Sequence, residues 1–474
     1  MKKVISLFVL IFLFSAQLFA QPGNTGLRFS HFGGTMSTYE NPAFGAANDT
    51  KWEVQLFNVN EMFESDKLAL NWNSVLNNGV LFDSNRADRK RQTQQGVNDF
   101  SFRNVLELAG PAVYFNYKKK FAFGINTRTR FFFQLNDANL NLAQSVFNES
   151  NLNVNDYGAI QEDYLNTNLN VMTDIGFTGS AQVLSLKKHK LFVGASLRFY
   201  KGLASLDFTG RNIDIDPDKI ANSDSVVEFS SDLEFNSSVP TDFDILSSTG
   251  SSLSFGNILS NAFNRSAGKG VGGDIGAVYQ GIILNRSLRA SLSITDIGSI
   301  NYNRGRQRSA SFVANKVQIP IDSFSTFPSG YDSIRKWSAD YGVQIDTGSN
   351  SYIHSLPTRL NLYGELQVLK GFHLGLAASA NLANTNKIHS SYSGYTSIIP
   401  RWQSRMLEAW LPMTYNYFSR NVKAGLGFRL AYFYFGSDDV LSLARRDVKS
   451  LNFYAGLRIA GNYSKRKVKK AERK

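Results

Sequence analysis

In the segment FAFGINTRTRFFFQLN, residues 121–136, one set of alternate positions holds Phe121, Phe123, Ile125, Thr127, Thr129, Phe131, Phe133 and Leu135, while the other holds Asn126, Arg128, Arg130, Gln134 and Asn136. Successive side chains of a strand point to opposite faces. This strand therefore needs apolar surroundings on one side and a polar space on the other. The same period of two returns in KLFVGASLRFY (190–200), SLRASLSI (287–294), TRLNLYGELQV (358–368), VKAGLGFRLAYFYF (422–435) and LNFYAGLRIAGN (451–462). Segments of about ten residues, apolar on one face and polar on the other, are the mark of a transmembrane β-barrel. A soluble sandwich fits poorly, because its strands are shorter and its outer faces polar.

Composition agrees. The 474 residues include 37 Gly, 37 Phe and 20 Tyr at a mean hydropathy of -0.22, which suits many strands better than a helical membrane bundle. No segment beyond the N-terminus offers 18 consecutive apolar residues, so no transmembrane helix is expected. The first residues, MKKVISLFVLIFLFSAQLFA, join two lysines to an apolar run and a small residue at Ala20, which reads as a secretory signal peptide. With no cysteine in the chain, disulfides, thiolate metal sites and a lipid-modified N-terminus are excluded.

Connections alternate in length. Short polar turns are predicted at Lys118–Lys120, Lys187–Lys190, Asn285–Ser287, Lys370–Gly371 and Ser419–Asn421, all on one side. Long connections are predicted at residues 137–168, 210–269, 303–352 and 387–406. In bacterial barrels the short turns face the periplasm and the long loops face outside. The pattern predicts an all-β, antiparallel transmembrane barrel of about 12–14 strands with an N-terminal luminal segment.

Asn41-Pro42-Ala43, followed by a strand led by Trp52, resembles the N-terminal signature of FadL/PorV-like outer-membrane barrels. The segment FRLAYFYFGSDDVLSLARRDVKSLNFYAGLRI (428–459), with Gly436, Ser437, Asp438, Leu441 and Ser442, is similar to a Bacteroidota family of unknown function within that group, as are LELAGPAVYFNYKKKFAFGINTRTR and LPTRLNLYGELQV. The residues and the resemblance together give an expected signal peptide at 1–20, a hatch or plug segment at 21–50, a barrel at 51–463 and a basic periplasmic tail at 464–474. It departs from the common pattern at the C-terminus, where SKRKVKKAERK follows the last strand in place of a terminal aromatic residue.

The polar phase of the strands carries Arg128, Arg130, Arg198, Arg289, Arg359, Arg429 and Arg458, with Glu365 among them. A charge facing lipid at the midplane costs about 2–4 kcal/mol, so these side chains are expected in the lumen. There they either bond one another and the N-terminal segment or form a site for an anionic headgroup, such as a fatty-acid carboxylate in an arginine fork. GKGVGG (268–273) matches a dinucleotide fingerprint but leads into a strand, with no helix N-terminus for a pyrophosphate. DIDPD (214–218) has Lys219 and Ser225 where a calcium loop needs Gly and Glu. The histidines His31, His189, His354, His373 and His389 are scattered, and Ser379 lies six residues along a strand from His373, about 20 Å away and too far for catalysis. No catalytic residue, metal or cofactor is expected.

The tail residues Lys465, Arg466, Lys467, Lys469 and Lys470 carry much of the net charge of +13. An exported chain excludes nucleic acid as their partner. The resemblance and the lumen together lead to two expectations for a Gram-negative outer membrane, with lipid surrounding the barrel in both. In the first, the barrel passes or binds a hydrophobic or amphipathic small molecule, with Asn41, Pro42 and Ala43 as the hatch. In the alternative, a closed barrel is a scaffold whose loops or tail bind another cell-envelope or secretion-system protein.

Overall fold

A computed structural model describes residues 23–67, 70–71, 99–139, 160–216, 226–239, 266–283, 285–303, 306–320, 343–347, 351–383, 388–444 and 447–463, with single residues at 336, 339 and 340. The predicted signal peptide and the basic tail, with Lys465, Arg466, Lys467, Lys469 and Lys470, lie outside the described residues.

Fourteen antiparallel strands close on themselves. They are β1 (Thr50–Ser65), β2 (Asp99–Tyr117), β3 (Phe121–Asn139), β4 (Ile160–Leu186), β5 (His189–Asp216), β6 (Gly268–Ile283), β7 (Arg286–Tyr302), β8 (Arg359–Leu369), β9 (Phe372–Asn381), β10 (Tyr395–Gln403), β11 (Leu407–Trp410 and Met413–Asn416), β12 (Asn421–Ala424 and Leu426–Leu430), β13 (Phe433–Ser437) and β14 (Ser450–Asn462). Each pairs with the next, and β1 pairs with β14 in the register Val54 to Ile459 and Val59 to Ala455, so the wall has no edge. Closure is what lets strands cross lipid, since every backbone donor finds a partner in the wall.

The wall is turned inside out relative to a soluble protein. On β3, Phe123 is 65% exposed while Arg128, five residues on, is 2% exposed. Trp52, Phe115, Ile125, Phe177, Phe199, Leu292, Ile398, Phe435 and Phe453 also face outward. Strands β4 and β5 have 27 and 28 residues, far beyond the roughly 9–11 that a tilted strand needs to cross the bilayer. Their upper halves continue as a sheet outside the wall, in which Val226–Val239 pairs with β5 and with Arg306–Pro320, and the latter with Gln344–Thr347.

Several features differ from the sequence reading, and the connections expected at 210–269 and 303–352 themselves contain the strands Val226–Val239, Arg306–Pro320 and Gln344–Thr347. Residues 387–406 were expected as a connection, yet they contain wall strand β10, whose inward side chains are Tyr395, Ser397, Ile399 and Arg401. A buried isoleucine and Pro400 blur its alternation. The segment VKAGLGFRLAYFYF was expected as one strand, but Ala431 takes a positive φ of 53° and turns it into β12 and β13. The extra strand changes the parity of the chain. The Ser419–Asn421 turn therefore falls at the long-loop end, where Asn416 donates to Glu64 at the far end of β1, and not with Lys118–Lys120.

The core lies inside the barrel. Residues 23–49 form three one-turn helices, α1 (Thr25–Arg28), α2 (Thr35–Thr38) and α3 (Phe44–Ala47), all buried apart from half-buried His31 and Asp49. Leu27, Phe29, Met36, Tyr39 and Phe44 pack there with Tyr114, Phe192, Tyr363, Tyr395, Trp410, Tyr434 and Tyr454 of the wall.

Candidate functional site: the filled lumen

The luminal segment is held by polar bonds as well as by its apolar side chains. Asn41 Nδ2 donates to the carbonyls of Ala277 (3.1 Å) and Leu292 (3.0 Å), and its Oδ1 accepts from Ala43 N (2.9 Å). The Ser293 hydroxyl donates to Glu40 O at 2.6 Å. The wall is bare where this tripeptide lies against it. A Cβ on Gly194 would stand 2.5 Å from Ala43 N and 2.6 Å from Pro42 C, and one on Gly276 would stand 2.2 Å from Asn41 Oδ1. Only glycine admits backbone this close. Further along, Asn116 and Gln280 donate to the carbonyls of Gly45 and Ala47, and Arg401 donates to Gly26 O at 2.9 Å.

The predicted luminal arginines all point inward and are buried. Most have carboxylate partners. Arg128 reaches Asp174 (3.2 Å) and Asp296 (2.8 Å), Arg130 reaches Asp296 (3.0 Å), and Arg198 reaches Asp174 and Asp274 (both 2.7 Å). Arg359 lies 3.4 Å from Glu40, Arg429 is 2.9 Å from Glu408, and Arg458 is 2.5 Å from Glu53. Arg458 also donates to Phe32 O, and Arg28 of the luminal segment meets Glu107 at 2.6 Å. Arg289 differs. It donates to Asn48 Oδ1 (2.7 Å) and Phe29 O (3.4 Å), stacks 4.0 Å from the Phe44 ring, and has no carboxylate partner among the described residues. These arginines bind the wall to itself and to the luminal segment.

Several members of this network were not among the predicted residues. Asp174, Asp274, Glu107 and Glu53 lie on the inward phase of their strands, so alternation could have found them. Asp296 could not be found so. Thr295 and Asp296 are both buried because β7 bulges there, with Asp296 at a φ of 55° and a register shift opposite Gly273–Ile275. A bulge re-aims a side chain that alternation would send to lipid.

The histidines are not all scattered, which corrects the sequence reading. His31 Nε2 donates to Glu365 Oε1 at 2.6 Å, and His373 Nδ1 lies 3.1 Å from the same oxygen. The other oxygen, Oε2, accepts from Tyr363 OH at 2.6 Å and pairs with Arg401. Burial, and next the charge of Arg289, push the His31 ring well below the usual imidazole range, so it is neutral at physiological pH. Ser379 donates to Asn361 at 2.5 Å. GKGVGG starts strand β6, and Pro217 and Asp218 of DIDPD lie outside the described residues.

A protein-family model described as "Family of unknown function (DUF5723)" matches residues 42–438. Comparison with the curated proteins gives no match. Among solved structures, the chain is similar to a deltaS2S3 mutant of the monoaromatic hydrocarbon channel TodX, at 9% identity and a TM-score of 0.42 over 91% of this chain and 95% of that one. It is similar to the Ralstonia pickettii toluene transporter TbuX, at 10% identity and 0.40 over 91% and 95%. It is also similar to a Pseudomonas aeruginosa FadL homologue, at 10% and 0.32 over 94% and 100%.

Proposed function

We infer the role of this chain, which belongs to the family of unknown function DUF5723, from its filled lumen: it is an outer-membrane barrel that stays closed and serves as a scaffold for another cell-envelope protein. The observation that carries this reading is the luminal segment itself. Residues 23–49 line the lumen and are tied to wall strands on every side, six of the seven predicted arginines are taken by Asp174, Asp274, Asp296, Glu40, Glu53 and Glu408, and the seventh, Arg289, is taken by Asn48 and Phe29 of the luminal segment itself. A 27-residue strand rises about 90 Å along its length, and even at a tilt of about 45° that exceeds the roughly 25 Å apolar band. The sheet that continues beyond the band is the surface offered to the partner, with the basic tail as a second contact. No reaction is assigned.

Passage of a hydrophobic or amphipathic small molecule is the second reading. Its observation is the bare wall at Gly194 and Gly276, which would be uncovered if Asn41, Pro42 and Ala43 swung away.

One engineered crosslink separates the two. A Cβ built on Gly45 lies 3.7 Å from Ser180 Cβ, within the separation a disulfide requires, and the chain has no other cysteine to interfere. Gly45→Cys with Ser180→Cys would lock the luminal segment to β4. Under the scaffold reading, the oxidised and reduced forms capture the same stoichiometric protein in mild detergent, and neither admits a labelled fatty acid into proteoliposomes. Fatty-acid entry in the reduced form that stops on oxidation would replace the scaffold reading with passage.

A further inference from the structure

His31 comes from the luminal segment, Glu365 from β8 and His373 from β9, and the three meet near the short-turn end of the barrel. We propose that His31 Nε2, His373 Nδ1 and Glu365 Oε1 are the protein ligands of a transition-metal ion of the zinc class, which clamps the luminal segment to the wall.

The donor atoms all lie within 4.8 Å of one another, and Oε1 is 2.6 Å and 3.1 Å from the two ring nitrogens. One ion about 2.0–2.2 Å from each nitrogen and oxygen would replace the two hydrogen bonds to Oε1, with the three atoms adjusting to about 3.4 Å apart, and three protein ligands leave a fourth position for water. Without the ion, Oε1 simply accepts from both rings.

The surroundings fix each ligand from behind, as metal sites require. His31 Nδ1 faces the Asp49 carboxylate at 3.9 Å, which directs Nε2 inward. Glu365 Oε2 is occupied by Tyr363 and Arg401, which leaves Oε1 for the ion. Gln403 supplies the third support. Its Nε2 stands 2.9 Å from His373 Nε2, while its Oε1 is buried with no hydrogen-bond partner. The oxygen and nitrogen of an amide exchange places on rotation. With Oε1 turned to His373, the ring donates from Nε2 and Nδ1 presents its lone pair to the ion, while the amide nitrogen takes the buried position that Oε1 leaves.

The same set selects the metal. Two imidazoles and one carboxylate suit Zn²⁺, Co²⁺, Ni²⁺ or Cu²⁺, whereas Ca²⁺ and Mg²⁺ need shells of oxygen. Arg401 on Glu365 and Lys119 on Asp49 already balance the nearby negative charge. That disfavours hard cations, which are held by charge, and leaves binding to imidazole coordination.

Chelator-washed full-length mature protein, folded in mild detergent, is titrated with Co²⁺ alone. One ion per chain should bind with the absorption of a four-coordinate site, and His31→Ala or His373→Ala should weaken binding by more than about tenfold. Gln403→Leu keeps all three ligands and should cost about tenfold. Heat-modified gel mobility confirms that each variant is a folded barrel. In the wild type, Zn²⁺ should also slow proteolysis of the N-terminal segment. Absence of four-coordinate Co²⁺ in the wild type overturns the proposal without recourse to any variant. So does uptake that neither histidine substitution changes, since that is an adventitious ion elsewhere.

Discussion

Asp296→Asn tests whether the luminal arginines are structural. Asp296 Oδ1 accepts from Arg128 (2.8 Å) and Tyr200 OH (3.2 Å), and Oδ2 accepts from Arg130 (3.0 Å), all three residues being buried. The amide keeps the shape and removes the charge, and it turns an N–H toward one guanidinium. Arg128 retains Asp174 at 3.2 Å, but Arg130 is left with a contact to that carboxylate at 3.5 Å, and its Nε and NH2 already have no hydrogen-bond partner. Removing one member of a buried ion pair costs about 3–5 kcal/mol, because the remaining charge stays out of water. The loss should appear as a lower urea midpoint, followed by tryptophan fluorescence and gel mobility in detergent or vesicles. A loss below about 1 kcal/mol, the scale of a solvated surface pair, would mean that water reaches these guanidiniums and would refute the closed network. The companion pair Arg128→Gln and Arg198→Gln should likewise lower stability while leaving fatty-acid binding unaltered.

Gly194→Ala should push its new methyl into the backbone of Pro42 and Ala43, costing about 1–3 kcal/mol of overpacking and exposing the N-terminal segment to protease; unchanged protection would refute the close approach. With the long-loop end outside, a membrane-impermeant maleimide on intact cells should label Arg420→Cys and spare Lys120→Cys, and the reverse would invert the barrel.

The fold was legible because lipid enforces one rule along the whole wall. A side chain's face follows from its parity, and the apolar phase of β3, β5, β7, β8 and β14 is strict enough to read directly. The rule fails where backbone geometry interrupts it. Ile399 and Pro400 hide β10, the turn at Ala431 divides one apparent strand into two, and the resulting change in parity sends the Ser419–Asn421 turn to the opposite end. Asp296 was lost for the same reason on a smaller scale, since a single bulge moves it from the lipid phase into the centre of the arginine network.

Partners were harder to read than faces, and the His31–Glu365–His373 group shows why. Glu365 and His373 share the inward phase of a hairpin whose turn, Lys370–Gly371, is visible in the sequence, and the register pairs Gln367 with His373 and Glu365 with Gly375. Eight residues of chain therefore become diagonal neighbours across two strands. His373 and Ser379 stay far apart along one strand, whereas the hairpin brings Glu365 to His373 across two. His31 had no such guide. It sits 334 residues before Glu365 in a segment of one-turn helices with no period, and only the closure of the wall around that segment determines what it meets. Chemistry assembled between the wall and its filling is thus invisible to alternation even when each wall residue is placed correctly, and in this barrel that interface is where the histidines, the unpaired amide oxygen of Gln403 and the glycine seat for Asn41–Ala43 all occur.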